Sequence, residues 1–438
     1  MTNIYTIKNK VNKKKLAINT LIFLIIISFF VGFFFNENSA GAGNYNGDIQ
    51  HSWKNLQIFV NNNLYQAIIS KEYYSNRTPL VFILHKYLNP FTDNIEAYRY
   101  SVFIISLSIP VLLFIALKKK FSRTNSSLLL LLSCITLLSP YVRTSAFWGL
   151  EENFSIISLI LSYIFLNLSL NNLKEGKKKY LWLFFLCLFS SSCLYFDYKF
   201  TIIPIICFAE IFFSKLKVKY KIFIIVAFCL LSLPFFYFFI SWGSIFSIKA
   251  QNTQFLGKII FWDNLGFALT IVGFYILPFY FLLKKKFFVE FSKFFIFSII
   301  LLITYIIFIE FFYQIPEINI HRNIGGGFIK KISHLFFENK IYIKIIYYFS
   351  YIFSFLIIYF FLRNNLYNWL VILYFFILSL IIHPLLQEYY DPLIFLIALL
   401  FLKNRFYINF NSLMIFFFYF LTLIISSNIY YLLKLPST

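Results

Sequence analysis

The chain reads as an all-α polytopic membrane protein with about 13 transmembrane helices. Three observations predict this. Apolar residues make up 60% of the 438 positions and charged residues only 13%, at a mean hydropathy of +0.77, a balance that soluble globular domains do not have. The apolar residues gather in runs near the roughly 20 residues that a helix needs to cross hydrocarbon. The basic residues fall in short blocks between those runs, where they act as topology determinants. A net charge of +22 would suggest nucleic acid for a soluble domain, but this placement gives no nucleic-acid partner.

Taken in order, the first run, 16–35, follows Lys8, Lys10, Lys13, Lys14 and Lys15 and precedes Ser39-Ala40-Gly41-Ala42, which has the look of a signal-peptide cleavage site. Its apolar core exceeds the roughly 7–15 residues of a signal sequence, so an uncleaved anchor with a cytoplasmic N-terminus is expected. The first outer loop, 36–97, carries Leu56, Ile58, Phe59, Leu64, Ile68 and Ile69 interleaved with Asn61, Asn62, Asn63 and Gln66, then a second apolar stretch from Pro79 to Tyr87 that is too short to span. Both predict interfacial helices on the outer leaflet. Runs at 98–117, 127–147, 153–170, 180–196, 200–213, 222–241, 264–283 and 292–312 lead to a second outer loop, 313–340. Runs at 341–362, 367–383, 389–402 and 410–433 complete a single transmembrane domain over 1–438, with the C-terminus outside. No internal repeat is visible, which counts against a transporter built from inverted halves.

With the N-terminus inside, the cytoplasmic turns receive Lys118-Lys119-Lys120 with Arg123, Lys174 with Lys177-Lys178-Lys179, Lys215 through Lys221, Lys284-Lys285-Lys286, Arg363, and Lys403 with Arg405, as the positive-inside rule requires. The outer side receives all five histidines and fourteen of the seventeen acids, every one but Glu175, Glu210 and Glu290. Charge within a bilayer is costly, so a one-sided gathering of acids and histidines implies an aqueous cavity there. The location expected is a bacterial plasma membrane. The five cysteines lie in apolar runs without a CxxC pair and read as small buried hydrophobes.

Two short patterns stand at the start of this outer face. Gly47-Asp48 with His51 opens the first loop, and Arg77-Thr78-Pro79-Leu80, followed by Phe82 to His85, precedes the second span. With an uncleaved first span, a large outer loop holding two membrane-parallel helices and many spans joined by tight turns, the chain resembles the GT-C superfamily of polyprenyl-phosphate-sugar-dependent glycosyltransferases. The Arg77 stretch is similar to the proline-led segment of protein O-mannosyltransferases, lipid A aminoarabinose transferases and dolichyl-phosphate-glucose glucosyltransferases. A second acidic motif of the Asp-Glu type at the start of the loop is missing, which leaves the subfamily open.

The resemblance implies an inverting transferase that moves a sugar from a polyprenyl-phosphate donor to a glycan or glycolipid acceptor among membrane lipids. An acceptor hydroxyl must lose its proton as it attacks, and Asp48 is the candidate base; a turn or helix cap after the glycine-rich linker is the alternative role. His51 follows three residues later, placed to orient the carboxylate or touch a phosphate. The leaving phosphate calls for fixed cations, and the candidates are Arg77, Arg143, Lys199, His321 and Arg322, with Lys330 and Lys331 nearby in sequence. Arg143 interrupts an apolar run near its outer end, so it either serves the donor or pairs with Glu151 or Glu152. Lys199 either does likewise or neutralises Asp197. His321 and Arg322 precede the glycine triplet Gly325-Gly326-Gly327, a backbone able to approach an anion or to act as a mobile loop. Glu151, Glu152, His383, Gln387, Glu388 and Tyr390 complete the expected pocket. Neither cofactor nor metal is expected, although Glu151-Glu152 could hold a hard cation in principle. The rival readings are an O-antigen-type polysaccharide polymerase and a lipid-linked oligosaccharide flippase.

Overall fold

The computed structural model describes residues 2–40, 47–171, 176–250, 260–283, 291–313, 325–362, 365–382 and 384–434. Among them the protein is helical throughout, with an isolated bridge between Leu283 and Phe406 and no strand. Among the described residues eight helices are long and apolar enough to cross a bilayer, or nine if one bent pair counts as a span. Three of the expected runs are shorter. The run at 200–213 is helical only over Ile202–Phe212, that at 389–402 only over Leu393–Leu400, and that at 367–383 over Leu366–Ile381. The run at 292–312 is helical over 291–312, its last five residues as a π-helical turn. At 1.5 Å per residue an eight-residue helix reaches only about 12 Å, well short of a hydrocarbon core of about 30 Å.

Two compact units divide the chain, one formed by 1–253 with 417–438 and one by 254–416. In the first, α1 (Thr2–Phe34) leads to the loop helices α2 (Asp48–Asn61), α3 (Leu64–Ile68) and α4 (Leu80–Leu88). Then come α5 (Ile95–Ser106) and α6 (Ser108–Lys120), α7 (Ser126–Cys134), α8 (Pro140–Phe147), α9 (Glu152–Asn171), α10 (Lys177–Phe196), α11 (Ile202–Phe212) and α12 (Val218–Trp242). Asparagine and serine caps start several of them: Asn94 accepts from Ala97 N at 2.9 Å and Asn125 from Ser127 N at 2.8 Å. Proline explains the bent pair. Pro140 fixes its own φ and pushes Ser139 into an extended conformation, so the run at 127–147 becomes two helical segments inclined by 68°. Ser139 Oγ then caps the new helix at Val142 N, 3.3 Å away.

Pro234 lies inside α12, where it interrupts the backbone ladder. The Tyr195 hydroxyl of α10 bridges the damage, donating to Leu231 O at 2.5 Å and accepting from Phe235 N at 3.1 Å.

The first outer loop departs from the expected leaflet-bound helices. The apolar face of α2 turns inward, with Leu56 and Phe59 packed against Val81 and Phe82 of α4, against Tyr73, and against Tyr98 and Val102 of α5. Trp242 closes this core and donates from Nε1 to Ile68 O at 2.8 Å. Of the residues whose alternation suggested lipid contact, Leu56, Phe59 and Ile68 therefore bury against protein, whereas Leu64 stays exposed.

α1 is held by two buried arginines. Arg143 donates to both oxygens of Glu37, with Nε 2.8 Å from Oε1 and Nη2 2.5 Å from Oε2, and to Ser28 O at 2.7 Å. Arg99 donates to Phe33 O at 3.0 Å and to Phe147 O at 2.6 Å, with its guanidinium between the rings of Phe33 and Trp148. Gly32 makes room for this: a Cβ there would collide with Arg143 Nη2 and Glu37 Oε2 and come within 2.9 Å of Phe147. Gly32→Ala is therefore expected to cost about 1–3 kcal/mol through overpacking, read as a lowered Tm in detergent. An unchanged Tm would mean that the ion pair yields freely.

In the second unit, α13 (Asn264–Ile276), α14 (Phe291–Ile307), α15 (Gly327–Phe336), α16 (Lys340–Leu362), α17 (Leu366–Ile381) and α18 (Leu393–Leu400) pack with the start of α19 (Phe410–Lys434). Glycines let α13 approach α16 closely: a Cβ on Gly273 would lie 2.7 Å from Ser354 Cβ.

Candidate functional site

A cluster of buried charged side chains forms where α9 begins and α10 ends. Gly149, at φ +69°, makes the turn before α9, and a Cβ there would lie 2.7 Å from the Tyr98 ring. Tyr98 Oη fixes the same turn by donating to Gly149 O at 2.6 Å. The turn delivers Glu151 and Glu152 side by side. From the loop between α3 and α4, Arg77 reaches in with both ends of its guanidinium. Nη1 lies 2.8 Å from Glu151 Oε2, and Nη2 lies 2.5 Å from Glu152 Oε1 and 3.4 Å from Asp197 Oδ2. Asp197 follows the last residue of α10, and its Oδ2 is also 3.2 Å from Lys199 Nζ. Its Oδ1 accepts from Lys199 N at 3.1 Å, which fixes the tight turn.

Three carboxylates thus share two cations. Glu151, Asp197 and Lys199 are buried, and Arg77 keeps about a fifth of its side chain exposed at 22%. Burial raises the Glu151 pKa above the ordinary carboxylate range; Arg77 opposes the rise, and the neighbouring Glu152 and Asp197 charges add to it. Lys177-Lys178-Lys179 start α10 at its other end, and 20 helical residues place them about 30 Å away. Acids at one end and lysines at the other repeat, within one helix, the sidedness read from the sequence.

α2 is tied to the same loop. Asn55 clamps the backbone of Tyr74, donating to its carbonyl at 2.8 Å and accepting from its N–H at 3.2 Å. Its Nδ2 is also 3.2 Å from His51 Nε2. The His51 ring stands edge-on to Tyr74 at 5.2 Å. One edge of His51 stays exposed, while the protein around it and the Arg77 charge lower its pKa below the ordinary imidazole value. Asp48 opens α2, where an acid complements the helix dipole; it is half-buried and one turn from His51. The loop itself is pinned, since Thr78 donates to Tyr195 O and Ser75 N donates to Ser247 Oγ at 3.0 Å.

The structure therefore brings Arg77, Glu151, Glu152 and Lys199 together, with His51 within electrostatic reach of Arg77. Arg143 is not among them. It pairs with Glu37, while Glu151 and Glu152 go to Arg77. In the second unit, Gln387 donates to Tyr275 Oη at 2.9 Å, buried Tyr390 reaches Phe375 O at 3.4 Å, and Glu388 is half-buried. The glycine triplet has positive φ at all three positions, and Gly326 N donates to Leu385 O at 2.8 Å, so its backbone serves the turn at 384–391. Burial lowers the Lys330 pKa, with Asp263 opposing. His321, Arg322 and His383 lie outside the described residues. Among the described residues no three His, Cys, Asp or Glu side chains are grouped to hold a metal ion.

Sequence reasoning misses one member of the cluster, Asp197, which it treats only as the neighbour of Lys199, and, outside the cluster, Glu37 and Arg99, which hold α1. Arg99 carried the signal that exposed Arg143, a lone guanidinium inside an apolar run.

Fold and site together define an all-helical multipass membrane protein with a buried cluster of acidic and basic side chains at one end of its first unit. No protein-family model, curated protein or solved structure matches this chain.

Proposed function

We propose that this protein is an inverting, membrane-embedded glycosyltransferase that takes a sugar from a polyprenyl-phosphate carrier on the outer face and passes it to a lipid-linked or cell-envelope glycan. The observation that carries the reading is the meeting of Arg77 with Glu151, Glu152 and Asp197 at the end of two apolar helices, next to the α2 helix that bears Asp48 and His51. Acids and cations at the head of a membrane helix bundle suit a reaction between an amphipathic phosphate donor and a polyol.

The reaction would run as one displacement. The acceptor oxygen bonds to the anomeric carbon, the bond from that carbon to the phosphate oxygen breaks, and the electron pair leaves on the polyprenyl phosphate. The acceptor proton passes to a carboxylate, for which Asp48 is the assigned group. Arg77 and Lys199 are the cations of the cluster that Glu151, Glu152 and Asp197 form, and they would offset charge developing on the phosphate. Arg143 contributes to holding α1 and is left out of the chemistry.

Asp48→Asn keeps the shape and first-turn position while removing the proton acceptor. Turnover of a polyprenyl-phosphate sugar by the purified variant in proteoliposomes is expected to fall about a hundredfold to ten-thousandfold, with Tm unchanged. Near-normal turnover would return Asp48 to a helix-start role.

A further inference from the structure

With the apolar faces of α2 and α4 buried in protein, what the first outer loop still shows is at its tips. At the α2–α3 turn Leu64 and Tyr65 stand out, Tyr65 at 62% exposure, and at the end of α4 Tyr87, Leu88 and Phe91 do so at 60%, 74% and 55%. The tips are joined, because Lys86 Nζ donates to Asn62 O at 2.6 Å and lies 5.4 Å from the centre of the Tyr87 ring. The buried lining of α4 is Val81, Phe82 and His85, and Leu88, one turn beyond His85 at the end of the helix, is exposed.

We infer that these tips form a lipid contact, inserting their aromatic and aliphatic side chains into the boundary between headgroups and acyl chains of the adjoining leaflet. Two things name the occupant. The first is depth: Phe91 precedes by four residues the span that starts at Ile95, so at most about 3.6 Å per residue keeps it within about 15 Å of that span's end. The second is continuity, since the same span exposes Tyr100, Ile104 and Val111 along its length, the surface that acyl chains cover. The composition suits that depth. Tyrosine and lysine present an apolar body with a polar tip, which places them at the interface of water and hydrocarbon, and Leu88 and Phe91 supply the buried area. The inference goes beyond the proposed reaction and stands without it: the loop would be held by Arg77 on the protein side and by its tips on the lipid side.

A nitroxide at Leu88→Cys tests this in the full chain, in a Cys229→Ser background, because Cys229 is the exposed cysteine and the other four are buried. The protein is reconstituted in phosphatidylcholine–phosphatidylglycerol vesicles, and collision of the label with oxygen, which enters lipid, is compared with collision with a water-soluble nickel chelate. A label on exposed Glu72→Cys is the reference. A severalfold higher oxygen-to-nickel ratio at Leu88 is expected, and Phe91→Cys should repeat it if the Leu88 variant folds poorly. A ratio equal to that at Glu72 would place the tips in water. Protection from both reagents would mean that a protein covers them. Either result overturns the inference.

Discussion

Replacing Arg77 with alanine is expected to destabilise the protein by about 3–5 kcal/mol, the range for removing one partner from a buried ion pair. Glu151, Glu152 and Asp197 would keep Lys199 as the cation in reach, at 3.2 Å from Asp197. The dependence on pH gives the diagnosis. Without Arg77, burial and mutual repulsion raise the carboxyl pKa values in the folded state above their unfolded values. Stability lost at neutral pH is then recovered as pH falls and the acids take up protons. The Tm of the variant in detergent should accordingly rise on acidification relative to wild type. Arg77→Lys should restore only part of the loss, since an ammonium supplies a point charge without the planar fork that reaches two carboxylates. A neutral-pH Tm equal to wild type would show that the acids share protons well enough to do without the guanidinium.

The second large effect concerns Arg143 and Glu37. Arg143→Met strands the Glu37 carboxylate, Glu37→Gln strands a guanidinium that is 3% exposed, and each is expected to cost about 3–5 kcal/mol. The double variant should cost less than the sum of the two, with a coupling of about 0.5–3 kcal/mol. Thermal unfolding of the four proteins of the cycle measures it. Arg143→Met that loses donor turnover at an unchanged Tm would return this arginine to phosphate binding.

How far the sequence foretold this depends on the kind of signal. Hydrophobic runs are strong signals, and helicity with repeated membrane-length segments was readable from them. Composition measures apolarity and not the length over which backbone bonds continue, so the run at 389–402, helical only over Leu393–Leu400 between Asp391-Pro392 and Lys403, passes for a span. The loop helices were placed in sequence but not in direction: amphipathicity states that α2 has an apolar face, and only the partners Val81, Phe82 and Tyr98 decide that the face turns inward. Among site residues, Arg77, Glu151, Glu152 and Lys199 were each legible as charges at the edge of apolar runs. Their pairing was not, because Arg77 meets residues 74 and 75 positions away, and separation along the chain carries no information on which acid meets which base.

The hydroxyl of Tyr195 in the gap opened by Pro234 has an evolutionary consequence. Phenylalanine at 195 would strand Leu231 O and Phe235 N in surroundings with no water to replace the bridge. A residue other than proline at 234 would offer an N–H to Leu230 O and remove the ring that bends the helix, so that Phe235 N could close on Leu231 O and make the hydroxyl redundant. The two positions are therefore epistatic and their order of change is constrained. Losing the proline first and the tyrosine afterwards keeps the backbone groups paired at each step, whereas the reverse order passes through a form in which Leu231 O and Phe235 N have lost their bridge.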